Sequence, residues 1–169
     1  MRKQQDRKQV ESPLLIAASV VLLDQWTKSW IRANPHAVEL LPGFMNIVYG
    51  ENRGAAFGLL VNQTFLIIIT IAILAVIILL LVRYPSLATT SMLISAGLIL
   101  GGATGNLIDR LRFGYVTDFI DIRLWNDFHW PAFNFADSAI VIGTFILAYS
   151  LYQLGLFGKA YDHNHRTQK

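Results

Sequence analysis

Apolar and polar residues segregate along this chain into long blocks rather than periodic stripes. Four apolar blocks stand out. The second, "FLIIITIAILAVIILLLV", covers Phe65 to Val82 without a charge and stops at Arg83, Tyr84 and Pro85. The third runs from about Leu87 to Ile108, also uncharged. The fourth runs from about Ser138 to Phe157, with Gln153 as its only strongly polar side chain. The first runs from about Pro13 to Ile31, as "PLLIAASVVLL" followed by "DQWTKSWI". Each is close to the roughly 20 residues that cross a hydrocarbon core. The first block has the length of a secretory signal peptide. No small-x-small cleavage pattern follows it, however, and Trp26, Lys28 and Trp30 suit a membrane interface, so a retained helix is expected. The pattern predicts an all-α polytopic membrane protein, a single membrane domain over residues 1–169. Its four transmembrane helices are expected at about 13–31, 65–82, 87–108 and 138–157.

Two segments, about 32–63 and 109–136, are too long for simple turns and are expected to be functional. The first contains "FMNIVYGENRGAAFGLL". Its aromatic and β-branched residues predict short strands, and Gly50, Gly54 and Gly58 predict turns. A small, partly apolar, extracytoplasmic β-containing segment on the outer membrane surface is the result.

Composition agrees with the pattern. Hydrophobic residues make up 54% and charged residues 15%, against roughly 25% charged in ordinary soluble domains. There is no cysteine, which removes thiol nucleophiles, thiolate metal sites and disulfides. The net charge of +3 sits largely in the two tails and the turn at Arg83. An even number of spans puts these on one side, which is therefore assigned to the cytoplasm. No RNA-binding motif accompanies the basic tails, and no nucleic-acid partner is expected. Most of the arginines and lysines on the opposite side (Lys28, Arg32, Arg53, Arg110, Arg112 and Arg123) lie near acidic residues, which suggests local pairing.

Most acidic residues gather at that opposite face. In "GLILGGATGNLIDR", Gly97, Gly101 and Gly105 recur every four residues, a spacing that lets another helix approach closely. Asn106, Asp109 and Arg110 follow, three and four apart on one helix face. Two readings stand: a packing stripe with a charged end, or a stripe that holds a polar cluster against a neighbouring helix. Asp24 and Lys28 are four apart and are expected to pair structurally, with Lys28 snorkelling towards the interface.

Asp118, in "VTDFIDIRLW", and Asp137, in "FNFADSA", each stand near a span end. An acid near a helix N-terminus is favourable in itself, but capping alone does not call for Asn134 and Asp137 together beside so apolar a run. Two carboxylates brought together can share one proton, because like charges at close range cannot both ionise cheaply. One can then activate a water while the other protonates a leaving amine, which is peptide hydrolysis without metal or covalent intermediate. H-E-x-x-H and G-x-S-x-G are both missing. His36 and His129 lack ligand spacing, and His163 and His165 sit in a polar tail. No metal or other cofactor is expected.

With these residues in view, the chain resembles the bacterial lipoprotein signal peptidases, or type II signal peptidases. The resemblance rests on "DQWTK" at 24–28, "ENRGAAFG" at 51–58, "GGATGNLIDR" at 101–110, "VTDFID" at 116–121 and "FNFADS" at 133–138. It implies a bacterial inner-membrane aspartyl endopeptidase with both termini cytoplasmic and the active site at the outer face. The substrate implied is a diacylglyceryl-modified prolipoprotein, cleaved at its lipobox cysteine. The resemblance makes Asp118 and Asp137 the catalytic dyad. It puts Asn52, Gly54, Asn106, Arg110 and Asn134 around the site, and Asp24 and Asp109 nearer to structural support, as Lys28 is from its pairing. Membrane lipid and a globomycin-type inhibitor are the other expected partners, and a monomer is expected. Phe57 and Trp125 are candidates for lipid contact or site closure, and Ala55 and Ala56 for leaving room near backbone. A proton transporter and a structural subunit are the rival readings. Against the first stands the lack of a mid-span carboxylate in spans two to four and of any internal repeat. The second leaves the outer aspartates and asparagines unexplained.

Overall fold

The computed structural model describes residues 2–56, 59–60, 62–84, 89–125 and 128–154, with side chains for all of these except 2–10, 55, 56, 59 and 60. Four long helices form: α1 (Arg2–Ala33), α2 (Gln63–Arg83), α3 (Thr90–Phe113) and α4 (Phe135–Gln153). Strands β1 (Val38–Leu41), β2 (Met45–Asn52), β3 (Ala55–Ala56) and β4 (Leu59–Leu60) lie between α1 and α2. Strands β5 (Val116–Trp125) and β6 (Phe128–Phe133) lie between α3 and α4.

Three helices, α2, α3 and α4, are long and apolar enough to cross a membrane. The fourth expected span, in α1, is not among them. Its length suffices, but Asp24, Gln25 and Lys28 interrupt the apolar run. Two boundaries also differ from the sequence reading. Helix α3 continues past Ile108 to Phe113, where Gly114 caps it at φ 75°, a left-handed conformation that costs glycine little. Asp109 is therefore inside a helix. Helix α4 begins at Phe135 rather than Ser138, because Asn134 caps it. The predicted start of the third span and end of the fourth, and the candidate Phe57 with Gly58, fall outside the described residues. So do the side chains of Ala55 and Ala56.

Helix α3 is the centre of the bundle, packed on α1 along one face and on α4 along another. The glycines explain how closely. A Cβ on Gly97 would meet Ile16 Cβ at 2.7 Å, and one on Gly101 would meet the Ala17 carbonyl oxygen at 2.8 Å, so this stripe seats α1. Gly102 faces α4 instead, where a Cβ would stand 2.3 Å from the Ala136 carbonyl oxygen. That atom belongs to a helix backbone and cannot move alone. Gly102→Ala is expected to destabilise the protein by about 1–3 kcal/mol, seen as a lowered thermal midpoint in detergent. An unchanged midpoint would contradict this packing.

The sheet is antiparallel, in the order β1-β2-β5-β6. It thus uses both inter-helix segments, where the sequence reading expected strands only in the first. Gly50 is not in a turn. It lies within β2 opposite Asp118, where a Cβ would come within 3.3 Å of the Asp118 carbonyl oxygen. Ile31 of α1 packs with Phe119 and Ile120 of β5, fixing the sheet to the helix ends.

Candidate active site

Helix α4 begins with a reciprocal cap. Asn134 Oδ1 accepts from the Asp137 backbone N–H at 2.9 Å, and Asp137 Oδ2 accepts from the Asn134 N–H at 3.1 Å. Each satisfies an orphan donor at the helix start. Capping does call for the two residues together, contrary to the sequence argument. What exceeds capping is the reach of both side chains beyond it.

Asn134 Nδ2 donates to Asp118 Oδ1 at 2.7 Å, so one asparagine binds both aspartates. Asp118 Oδ2 accepts from Asn52 Nδ2 at 3.0 Å, and Asn52 Oδ1 accepts from the Gly54 N–H at 3.0 Å. Gly54 is buried at φ 98°, a conformation that favours glycine. Asp137 Oδ1 accepts from Asn106 Nδ2 at 2.8 Å. Each carboxylate thus receives two donors from fixed elements. The pairing Asn52↔Val116 and Gly50↔Asp118 brings Asn52 within reach of Asp118 on β5.

Burial pushes the Asp118 carboxyl up from its usual 3.8, and the negative charge of Asp137 pushes it further, to about 6; hydrogen bonds from Asn52 and Asn134 oppose the rise. The folded protein therefore holds a proton on Asp118 that the unfolded chain releases between pH 3.8 and about 6. Stability from this group is full below that window and is lost as pH rises through it. The loss is about 3 kcal/mol. Asp118→Asn is expected to flatten stability against pH in this window relative to the parent. Equal slopes for the two proteins would contradict the shift.

A second cluster lies behind the first. Lys28, with no exposed surface, pairs with Asp24 at 2.9 Å and Asp109 at 3.6 Å and donates to Asn106 Oδ1 at 2.9 Å. The expectation that Lys28 snorkels outward is thereby corrected: two buried carboxylates and an amide turn it inward. Asp24 Oδ1 accepts from the Ala136 N–H at 3.1 Å, tying α1 to the start of α4. Asp109 Oδ2 accepts from the Thr117 N–H at 2.9 Å, and Arg32 donates to Thr117 Oγ1 at 2.8 Å and to Asp109 Oδ1 at 3.4 Å. The residue before Asp118 is held at both its backbone and its side chain. The glycine stripe therefore does hold a polar cluster against a neighbouring helix.

Asn106, Asp109 and Arg110 do not act on one face together. Asp109 turns to α1, while Asn106 and Arg110 line a cavity of about 260 Å³ with Asp137, Thr70, Ile73 and Ile140, between α2, α3 and α4. Arg110 Nε is buried with no hydrogen-bond partner among the described residues. Ile99 also lines a second, mostly apolar cavity further along the same helices, about 330 Å³, with Ile77, Leu80, Met92, Leu147 and Leu151 and with Ser95 and Tyr84 as its polar members. Asp121 stays apart from the dyad, bonded to His129 at 2.8 Å and Asn46 at 3.1 Å. Trp125 is exposed at the far end of β5, stacked on Phe128 at 5.7 Å between ring centroids.

Sequence reasoning missed four supports: Gln25, Arg32, Thr117 and the Ala136 backbone. Gln25 Nε2 donates to Asp24 Oδ2 at 3.2 Å, Gly105 O at 3.0 Å and Asp109 Oδ1 at 3.2 Å. The spacing Asp24, Lys28, Arg32 is a four-residue helical stripe that carries on from the stripe seating α1 on α3, and it was the available signal for Arg32.

Two aspartates joined by an asparagine, one of them lining a cavity between long apolar helices, have the layout of an aspartic peptidase for membrane substrates. A family model described as signal peptidase (SPase) II matches residues 16–153. The lipoprotein signal peptidase of Moorella thermoacetica is 47% identical over 141 residues, covering 82% of this chain and 91% of that protein. The lipoprotein signal peptidase of Caldanaerobacter subterraneus subsp. tengcongensis is 44% identical over 141 residues, covering 80% and 92%. A solved bacterial membrane enzyme is similar with a TM-score of 0.73 at 37% identity, over 84% of this chain and 93% of its own. The chain belongs to the signal peptidase II family, a family of aspartic-type signal peptidases of the membrane. The transporter and structural-subunit readings give way to that membership.

Proposed function

We propose that this enzyme removes the signal peptide from diacylglyceryl-modified prolipoproteins at the lipobox cysteine, using a water activated between Asp118 and Asp137. The observation that carries the reading is Asn134, which binds both carboxylates while capping α4. One aspartate takes a proton from the water as its oxygen attacks the scissile carbonyl. The other gives its proton to the departing amine, so the pair ends with the one proton it began with.

Buried charge supports a singly protonated pair. Behind the site, Asp24 and Asp109 balance Lys28 and Arg32. Arg110 is the cation left over beside Asp118 and Asp137, so one shared proton makes the whole group neutral. The unpartnered Arg110 Nε is a donor available to a substrate carbonyl. The apolar crevice between α2, α3 and α4 suits an apolar signal helix, and its polar head suits the bond to be cut.

In this reading α1 also spans the membrane, its charges being neutralised against α3. The dyad then faces the outer side, and both termini lie in the cytoplasm of a bacterial inner membrane. The enzyme is a monomer, its lipid partner being the surrounding bilayer, and globomycin-type peptides compete with substrate at the dyad. The test offers the purified enzyme two forms of one prolipoprotein, with and without the diacylglyceryl group. Cleavage confined to the modified form and blocked by globomycin is expected. Cleavage of the unmodified form at equal rate would overturn the substrate assignment.

A further inference from the structure

We propose that Lys28 is a positioning residue for the reaction. Its buried ammonium fixes which way the Asn106 amide is turned, and so aims the Asn106 NH₂ group at Asp137. The inference rests on the dyad reading above.

The geometry at Asn106 leaves one orientation. Its oxygen accepts from Lys28 Nζ at 2.9 Å and from Asn134 Nδ2 at 3.2 Å, and its nitrogen donates to Asp137 Oδ1 at 2.8 Å. Turning the amide over would press its NH₂ against an ammonium and a second NH₂, and its oxygen against a carboxylate. Asn106 is 5% exposed and Lys28 fully buried, so the amide oxygen and the ammonium have little solvent to relieve those contacts. Charge-assisted hydrogen bonds are roughly twice as strong as neutral ones, and Lys28 supplies one at the amide oxygen as the Asp137 carboxylate does at the nitrogen. The same orientation leaves the Asn106 oxygen free to accept from Asn134, whose NH₂ also binds Asp118. One buried cation on α1 thus orders two amides, and each donates to one aspartate.

Lys28 is itself held from two directions, by Asp24 on α1 and by Asp109 on α3. Gln25 contacts both carboxylates, and Arg32 contacts Asp109. Of the charged groups, the dyad feels Arg110 from α3 and Lys28 from α1. Structural support alone would call for a neutral filler or a simple ion pair with Asp24. The third contact, to an amide that binds Asp137, is what a positioning role adds.

The test is a double-mutant cycle on full-length enzyme, with kcat, KM and thermal midpoint measured for Lys28→Met, Asn106→Ala and the double variant. Loss of amide alignment is expected to lower kcat about 100-fold in Lys28→Met, with KM little changed. In the Asn106→Ala background the same replacement is expected to cost nothing further, because its route is already gone. The pH profile of kcat/KM is expected to move to higher pH in Lys28→Met, since a nearby positive charge has been removed. Equal losses of kcat in both backgrounds, or a normal kcat per folded molecule with an unmoved profile, would overturn the proposal. If Lys28→Met fails to fold, Asp24→Asn/Lys28→Met replaces it and carries the same cycle, because removing both members of a buried pair is milder than removing one. A parent enzyme that cleaves no prolipoprotein would instead strike the functional reading itself.

Discussion

Asp118→Asn and Asp137→Asn are each expected to lose cleavage by about 10³-fold or more while keeping a cooperative thermal transition. An asparagine fills the same space and can still take part in the local hydrogen bonds. It cannot accept the proton of an attacking water or hand one to a leaving amine, and acid–base catalysis of this kind contributes about 10²–10⁴-fold for each group. An asparagine has one amide oxygen, so it keeps one of the two donors at each position: Asn134 or Asn52 at 118, and Asn106 or the Asn134 N–H at 137. The effect should therefore fall on kcat rather than on folding. Prolipoprotein cleavage by each purified variant, beside its melting curve, is the check. A variant that melts normally and cleaves at the parent rate would remove that aspartate from the mechanism.

Asp109→Ala is expected to act in the opposite way, on folding before catalysis. Asp109 has no exposed surface, accepts from Thr117 N–H, Gln25 and Arg32, and forms an ion pair with Lys28. Its removal leaves a buried ammonium short of a counter-charge and a backbone donor without an acceptor. Breaking a buried pair by taking one partner away costs about 3–5 kcal/mol. Thermal unfolding in detergent should show a large fall in midpoint, with activity lost in proportion to folded protein. A midpoint near that of the parent would mean that Asp24 alone satisfies Lys28.

How much of this was legible in the sequence depended on the distance over which each feature acts. The apolar runs of α2, α3 and α4 were legible because hydrophobicity is a local signal. Two ends were missed where a capping residue reset them. Asn134 starts α4 at Phe135, and Gly114 lets α3 run on through Asp109. The glycine stripe Gly97, Gly101 and Gly105 was legible as a packing surface, but Gly102, one residue off it and facing α4, was not read as a second contact. Strand β5 escaped because its first five residues are buried on both faces, which hides the alternation of a half-exposed strand. Asp118 and Asp137 were found as candidates from their residue type and setting. Their link through Asn134, and the inward turn of Lys28, depend on contacts between α1, α3, β5 and α4 that no single segment encodes.

The most direct measurement gives purified enzyme a diacylglyceryl-modified prolipoprotein and determines the mass of the product, beside the Asp118→Asn/Asp137→Asn double variant. The parent should release a product whose new N-terminus is the lipid-bearing cysteine, and the double variant should leave the substrate whole. An intact substrate with folded parent enzyme, or the same product from the double variant, would contradict hydrolysis by a water held between these two aspartates.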